Sequence, residues 1–460
     1  MIFSSIPFLI LFLPIFLIIY YLVPFKMKNI ILLIFSLIFY SWGEPIYILL
    51  MIFSSVVDYI NGKMIEKSKN HKKHYLIFSI IVNLCVLGFF KYADFLIEII
   101  NSTLNLNIHT LNLGLPIGIS FFTFQTMSYS IDVYNKKVKA ETNFLNFMTY
   151  VSMFPQLIAG PIVRYEDISR ELHKREINFN NVVNGFLRFL KGMFKKVLIA
   201  NNMGYLFSLI TNDISNISVL TSWLAILAFA FQVFFDFSGY SDMAIGLGKM
   251  LGFNYLENFN FPYISKSITE FWRRWHISLS SWFRDYVYIP LGGSRTNLIK
   301  NIRNILIVWF LTGLWHGASM NYILWGLYFG VILLIEKFIL KKYIDKLPNF
   351  FKHLYAIILI LIGWTIFAFE DFTILKNFMG IMFGNAQFID NDFIYYLSNY
   401  FLLILISILF SIPVFNSIIE NIKNEKIKKT TIALGYLILF IISLSYLVSD
   451  SYNPFLYFRF

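Results

Sequence analysis

The chain has 460 residues, with 58% hydrophobic residues, only 14% charged residues and a mean hydropathy of +0.65. Soluble proteins average about 45–50% apolar and about 25% charged residues, so this composition excludes an ordinary water-soluble globule. The 52 Phe and 28 Tyr residues also exclude a disordered chain. A net charge of +12 would suggest nucleic-acid binding in a soluble protein, but excess Lys and Arg is also typical of the cytoplasmic loops of membrane proteins. We therefore predict one all-α integral membrane domain over residues 1–460.

Apolar segments recur along the whole chain, with room for about 11–12 transmembrane helices. Residues 7–25 have no basic residue before them and no small-residue cleavage site, which indicates an uncleaved first span. The predicted spans are 7–25, 30–41, 46–60, 75–100, 115–134, 186–210, 220–248, 302–316, 320–340, 353–370, 395–419 and 430–449. Basic loops alternate with these spans and are placed inside, so that both termini and the acidic loop 370–392 face outward.

Two stretches interrupt this alternation. Residues 142–163 contain two prolines and a glycine between basic loops, and residues 262–298 are amphipathic and too charged to span. We interpret both as re-entrant or interfacial segments, which are tolerated at membrane depth only where protein buries them or a cavity adjoins them. Spans 30–41, 46–60 and 302–316 are too short to cross alone, which predicts that they are recessed inside the bundle or lie where the bilayer is thinned. Together these features predict a central tunnel.

Two amide side chains lie inside apolar segments. Gln125 belongs to the sequence L-P-I-G-I-S-F-F-T-F-Q-T-M-S-Y over 115–129, and Gln156 begins Q-L-I-A-G-P-I-V-R over 156–164. Buried amides need hydrogen-bond partners, and bonding between helices is a commoner outcome than lining a channel. Gln125 is therefore a candidate tunnel residue, and the alternative is that it forms a hydrogen bond between helices.

Asp236, Tyr240 and Asp242 lie in the apolar sequence F-F-D-F-S-G-Y-S-D-M-A-I-G-L-G over 234–248. Burying two carboxylates costs several kcal/mol each unless they are paired or hydrogen-bonded. We expect buried ion pairs with the arginines of segment 262–298, and direct catalysis is the less favoured interpretation. The histidines and carboxylates lack the spacing of a metal site, so none is predicted. The single Cys85 excludes an intrachain disulfide.

Segment 269–295 contains four arginines, three tryptophans and His276. Helical spacing would place four residues on one face: Trp272, Trp275, His276 and Leu279. The arginines are candidate polar residues of the tunnel: Arg273, Arg274 and Arg284. An interfacial helix explains the tryptophans and arginines equally well, but it does not explain the histidine or the L-G-G-S-R sequence that follows.

His316 ends a short span in W-F-L-T-G-L-W-H-G-A-S-M-N-Y-I-L-W over 309–325. An ionisable residue at membrane depth indicates a functional site, and a histidine can accept and return a proton near neutral pH. The alternative interpretation of His316 is a packed, structural histidine that is hydrogen-bonded to a neighbouring carbonyl. The other five histidines lie in or beside loops without a polar constellation, so His276 and His316 are the candidate pair.

These motifs resemble the membrane-bound O-acyltransferase (MBOAT) family, and within it the bacterial alginate O-acetylation branch. The matching sequences are F-W-R-R-W-H-I-S-L-S at 271–280, P-L-G-G-S-R at 290–295, L-W-H-G-A-S at 314–319, F-D-F-S-G-Y-S-D at 235–242, Y-N-P-F-L-Y-F-R-F at 452–460 and the two amide-bearing sequences. The resemblance implies a multi-helix bundle around a tunnel. It places the family's catalytic histidine at His316 and its second signature position, Asn in most eukaryotic branches, at His276.

The resemblance implies an O-acyltransferase that takes acetyl from a cytoplasmic donor, acetyl-CoA or an acyl carrier protein. The acetyl group would pass through the bacterial cell membrane to an extracytoplasmic partner acyltransferase that works with a polysaccharide synthase. D-alanyl transfer to a teichoic acid is an alternative, but that branch lacks the I-P-L-G-G-S-R sequence found here at 289–295. The same intramembrane polar residues would also suit a small-molecule transporter without covalent chemistry, or a scaffold for a polysaccharide synthase.

Overall fold

The computed structural model describes residues 1–158, 160–414, 424–449 and 452–454, and within them the chain is helical and contains no β-strand. Eight described helices are long and apolar enough to cross a membrane: Ile48–Lys67, Lys72–Leu104, Val219–Leu251, Leu298–His316, Met320–Ile344, Asn349–Ala368, Asn391–Phe410 and Glu425–Ser449. Two shorter apolar helices are Pro7–Leu22 and Phe372–Met382. The all-α membrane fold predicted from composition is confirmed. Parts of the predicted span 395–419 and of the motifs at 156–164 and 452–460 lie outside the described residues.

The first compact unit comprises Met1–Phe189 and Tyr240–Leu256. Its helices are α1 Leu13–Leu22, α2 Phe25–Ser41, α3 Ile48–Lys67, α4 Lys72–Leu104, α5 Ile119–Tyr134, α6 Phe144–Ser152, α7 Phe154–Leu157, α8 Tyr165–His173 and most of α9 Phe179–Phe194. A π-helical segment, Pro7–Phe12, precedes α1. The end of α11 Val219–Leu251 also belongs to this unit.

The interrupted segment 142–163 forms the two short helices α6 and α7, and its second half is buried. Phe154 opens α7 and lies in a cluster of phenylalanines, with ring centroids 5.1 Å from Phe16 and 5.5 Å from Phe39. The Ser36 hydroxyl accepts a hydrogen bond from the backbone N–H of Phe154, which satisfies a donor at the break between the helices. This irregular backbone is therefore enclosed by protein, as the predicted re-entrant segment requires.

The second compact unit comprises Leu190–Gly239 and Glu257–Phe460. Its helices are α10 Asn201–Thr211, most of α11, α12 Ile268–Arg274, α13 Ile277–Phe283, α14 Leu298–His316, α15 Met320–Ile335, α16 Lys341–Ile344, α17 Asn349–Ala368, α18 Phe372–Met382, α19 Asn391–Phe410 and α20 Glu425–Ser449. The aromatic side chains of α12, α15 and α17 form its core. Trp272 of α12 and Trp325 of α15, for example, lie 5.5 Å apart between ring centroids.

The prediction that spans 46–60 and 302–316 are short was wrong. Helix α3 has 20 residues and α14 has 19, so each is about 28–30 Å long and can cross a hydrocarbon core. Polar residues extend both helices beyond the apolar runs. Asn297 caps α14 by accepting a hydrogen bond from the backbone N–H of Lys300, so the helix starts before its apolar stretch. The predicted outer loop 370–392 contains an unforeseen helix, α18, which Asp371 caps.

Candidate active site

A cavity of about 700 Å³ lies in the second unit among α12, α13, α14 and the end of α15. We call it the histidine cavity because its lining includes both candidate histidines, of which His276 is 1% exposed and His316 is 3% exposed. Four cations with exposed side chains also line it: Arg273, Arg284, Lys337 and Lys341. A cavity of this size is typical of small-ligand sites.

His276 lies in a turn between two short helices, where its φ of 44° and ψ of 54° are left-handed. The predicted single helical face was therefore wrong: Trp272, Trp275, His276 and Leu279 do not belong to one helix. The loop after α11 causes the break. The carbonyl of Asn258 accepts from the N–H of Ile277, and the N–H of Asn260 donates to the carbonyl of Arg274, each at 3.0 Å. These bonds fix the chain on both sides of a residue that would otherwise avoid this conformation.

The side chain of Asn258 determines which nitrogen of His276 carries the proton. Asn258 Oδ1 lies 3.2 Å from the backbone nitrogen of Ser278, and a backbone N–H can only donate, so this atom is the amide oxygen. The same oxygen lies 3.2 Å from His276 Nδ1, which must therefore be the N–H that donates to it. His276 Nε2 then has a lone pair, and it has no hydrogen-bond partner among the described residues.

His276 is neutral. Burial lowers the pKa of its imidazole because a charged ring would lose its hydration in this environment. A neutral ring with a proton on Nδ1 can accept a hydrogen bond at Nε2 but cannot donate one there. The chemistry available at this position is therefore that of a hydrogen-bond acceptor.

His316 is the last residue of α14 and is surrounded by aromatic rings. Its ring centroid lies 4.8 Å from Trp325, 5.1 Å from Trp315 and 5.5 Å from Phe367, in edge-to-face arrangements. The negative end of the helix dipole favours a positive charge at this position, so the helix would stabilise an imidazolium formed during proton transfer. Trp315 also contacts His276, at 5.7 Å between centroids, and so packs against both histidines.

Close packing of α14 on α15 holds His316 in place. A Cβ atom added at Gly313 would lie 2.4 Å from the carbonyl oxygen of Tyr322, and one at Gly326 would lie 2.3 Å from that of Trp309. Neither position can carry a side chain unless the two backbones separate. Gly313, three residues before His316, is therefore required by the close approach of the two helix backbones.

Glu336 attaches α12 to the end of α15 and was not foreseen as a site residue. Its carboxylate is buried and accepts hydrogen bonds from the backbone N–H groups of Ile268 and Thr269 at 2.7 and 2.8 Å. These are the first N–H groups of α12, where a negative charge is favourable. The sequence signal that could have identified Glu336 is an acidic residue at the end of an apolar span. Glu336 also lines the histidine cavity.

Two cations of the cavity, Lys337 and Lys341, lie at the other end of α14 from His316 in the predicted topology. Ile305, Thr312 and His316 all line the cavity, which therefore follows α14 for about 16 Å. Lys337 and Lys341 belong to the basic loop that was predicted to face the cytoplasm. The cavity thus connects a cationic entrance to the buried histidines.

The predicted partners of the two buried aspartates were wrong, although buried ion pairs do form. Asp236 pairs with Lys196 at 2.6 Å, with both side chains 2% exposed, and Asp242 pairs with Arg188 at 2.5 Å. Both cations come from the helical stretch that includes α9, and not from segment 262–298. Two arginines of that segment form ion pairs with acidic residues of the same segment: Arg274 pairs with Glu270 at 2.9 Å, and Arg284 pairs with Asp285 at 2.7 Å.

The remaining candidates have separate environments. Arg274 does not line the histidine cavity, and neither do Asp236 and Asp242. Tyr240 lies in the first unit and stacks on Phe3 at 4.4 Å between ring centroids. Gln125 is buried in α5 of the first unit, and its side-chain amide has no hydrogen-bond partner among the described residues. Its role in a tunnel stays a prediction.

Comparison with known proteins identifies the family. The model of the membrane-bound O-acyltransferase family matches residues 33–375. The chain belongs to this family. It is 43% identical to the probable alginate O-acetylase AlgI of Pseudomonas aeruginosa, over 84% of this chain and 75% of that protein. It is 34% identical to the peptidoglycan O-acetyltransferase of Helicobacter pylori, over 75% of this chain and 72% of that protein.

A more distant relative is the teichoic acid D-alanyltransferase of Bacillus subtilis, with 31% identity over 49% of this chain and 60% of that protein. These relationships and the apolar helices make the chain a multi-pass membrane O-acyltransferase. The catalytic assignments of His316 and His276 stay predictions, and so does the role of the cavity arginines.

Proposed function

We propose that this protein transfers acetyl groups from a cytoplasmic donor across a bacterial cell membrane for the O-acetylation of an extracellular or cell-wall polysaccharide. The observation that carries the proposal is the histidine cavity, which combines two buried histidines with a cationic entrance. The probable alginate O-acetylase and the peptidoglycan O-acetyltransferase, which align over 84% and 75% of this chain, are both named for O-acetylation. The D-alanyltransferase aligns over only about half of it, which favours acetyl over D-alanyl transfer.

The proposed reaction is acetyl transfer from a thioester to a hydroxyl. His316 accepts the proton of the acceptor hydroxyl while the hydroxyl oxygen attacks the thioester carbonyl. The tetrahedral intermediate then collapses by breaking the carbon–sulfur bond. The leaving thiolate takes the proton back from the His316 imidazolium, which leaves an ester, a free thiol and the original imidazole. The end of α14 stabilises the transient imidazolium.

His276 serves in this proposal as a hydrogen-bond acceptor that positions the acceptor hydroxyl. Its Nε2 has a lone pair because Asn258 holds the proton on Nδ1. A neutral ring of this tautomer cannot donate from Nε2 to the thioester oxygen. The structure thus supports orienting the hydroxyl over orienting the thioester carbonyl.

The donor is proposed to be acetyl-CoA, entering from the cytoplasmic side. Lys337, Lys341, Arg273 and Arg284 offer positive charge for its phosphates, and a cavity about 16 Å long suits an extended thioester arm. An acyl carrier protein would present the same arm and remains the alternative donor. The acetyl group is proposed to pass on the outer side to a partner acyltransferase that acts with a polysaccharide synthase.

The test is transfer of labelled acetyl from acetyl-CoA by the purified full-length protein in liposomes. His316→Ala should abolish transfer, with a loss of at least about a thousandfold if the residue is the general base. His71→Ala is the matched control, because His71 is exposed in an inner loop and lies outside the histidine cavity. Full activity of the His316 variant would contradict the mechanism. If the unaltered protein neither hydrolyses acetyl-CoA nor transfers acetyl, that result would instead support a transporter.

A further inference from the structure

A second cleft lies entirely in the first unit, where α8, α9 and the end of α11 meet. We call it the basic cleft. It has a volume of about 380 Å³ and is lined by four cations, Arg170, Lys174, Arg175 and Lys249. Its two acids, Glu171 and Glu176, leave a net positive charge. We infer that the basic cleft binds a phosphate group, and specifically the headgroup phosphate of an anionic phospholipid in the cytoplasmic leaflet.

Arg175 is the buried part of this site. Its side chain is 7% exposed, and it is held by Tyr20 and Asn29, which accept from Nε at 3.0 Å and from Nη1 at 2.7 Å. Its remaining nitrogen, Nη2, is buried and has no hydrogen-bond partner among the described residues. A buried guanidinium with an unused donor is costly unless an anion completes its hydrogen bonds. Because Arg175 lines the cleft, a phosphate oxygen can supply that acceptor.

The rest of the cleft adds to the attraction for an anion. The side chains of Arg170, Lys174 and Lys249 make no ion pair within the described part of the chain, so their charges are available to a ligand. The N-terminus of α9 also lies here, with Asn178 and Asn181 in the lining. A helix N-terminus favours negative charge and adds to the cations.

The position of the cleft favours a lipid as the source of the phosphate. Loop 164–175 is a predicted cytoplasmic loop, and Lys249 lies near the end of the candidate span α11. Tyr20 and Tyr21 donate to the carbonyls of Leu251 and Met250 at 2.8 and 2.9 Å, so aromatic residues surround the helix end. Tyrosines and cations at a helix end are typical of the headgroup region, where basic clefts bind anionic lipids.

The test measures lipid bound to the purified full-length protein by native mass spectrometry, with phosphatidylglycerol, phosphatidylcholine and glycerol 3-phosphate as separate probes. Phosphatidylglycerol should bind preferentially and raise the unfolding temperature. The double variant Lys174→Gln with Lys249→Gln should lose roughly fivefold in affinity for each cation removed. The matched control is Lys67→Gln with Lys69→Gln, since these exposed lysines lie in another inner loop and should change nothing.

Arg175→Lys is a second variant, which keeps the charge but removes the nitrogen that has no partner. It should weaken phosphatidylglycerol binding even though the net charge is unchanged. Equal losses in the cleft and loop variants would overturn the proposal, because they would indicate only general surface charge. If glycerol 3-phosphate binds and phosphatidylglycerol does not, the proposal of a lipid ligand would be overturned and a soluble phosphate ligand would be supported. The outcome does not depend on the acetyltransferase mechanism, since no cleft residue lines the histidine cavity.

Discussion

Replacing Asn258 with Leu tests whether this residue positions His276. The substitution preserves the approximate shape of the side chain and removes one oxygen that accepts three hydrogen bonds. The donors are His276 Nδ1 at 3.2 Å, Ser278 N at 3.2 Å and Ser278 Oγ at 2.9 Å. All three donors belong to buried residues, so water cannot replace the lost acceptor.

The expected loss of stability follows from the number of donors that lose this acceptor. The Ser278 hydroxyl lies 3.5 Å from His276 Nδ1 and can rotate to recover part of one interaction. Removing the shared acceptor from these buried donors costs about 1–3 kcal/mol for each interaction that is not replaced, so we expect a destabilisation of about 3 kcal/mol. Acetyl transfer should fall by about 10–100-fold, because the proton is no longer fixed on Nδ1 and the lone pair on Nε2 is lost from part of the population.

Asn258→Asp is the matched variant, since it keeps an acceptor for the same donors. The side-chain nitrogen of Asn258 has no partner among the described residues, so its replacement by oxygen loses no hydrogen bond. The new carboxylate should raise the pKa of His276, which burial lowers in the natural chain. Below that raised pKa, Nε2 is protonated, so activity of this variant should fall as the pH decreases. The natural chain should keep its His276 lone pair at the same pH.

The assay is acetyl transfer in liposomes, together with thermal unfolding in detergent, for both variants and for each of them combined with His276→Gln. If Asn258 acts through His276, Asn258→Leu should reduce activity much less when His276 is already replaced. Activity within twofold of the natural chain for Asn258→Leu, or the same fractional loss with and without His276, would refute this reasoning.

Two further substitutions test the packing around the site. Gly313→Ala should destabilise the protein by about 1–3 kcal/mol and reduce acetyl transfer, because its Cβ would lie 2.4 Å from the carbonyl oxygen of Tyr322. The control is Gly435→Ala, where nothing lies within 4 Å of the added Cβ. Equal unfolding temperatures for the two variants would contradict the close helix contact. Asp236→Asn should lower the free energy of unfolding by about 3–5 kcal/mol, because it removes the carboxylate that pairs with the buried charge of Lys196. A decrease below about 1 kcal/mol would argue against a buried ion pair.

Much of the fold and part of the site could be predicted from the sequence. The membrane class follows from composition, because apolar side chains on this scale cannot be covered by 14% charged residues. The pair His276 and His316 could be singled out because ionisable residues are costly among Trp and Phe, and the structure places both in one cavity. The lengths of α3 and α14 were underestimated, since polar end residues add helical turns that hydropathy does not detect.

The sequence by itself determined that the chain is a helical membrane protein and that His276 and His316 lie within apolar surroundings, because both depend on local composition. Only the tertiary structure decided the left-handed turn at His276, since hydrogen bonds from the loop around Asn258 interrupt a segment with helical periodicity. It also decided that Asp236 and Asp242 pair with cations near α9, and that Glu336 caps α12. Those partners are distant in sequence, and their pairing depends on geometry that spacing along the chain does not contain.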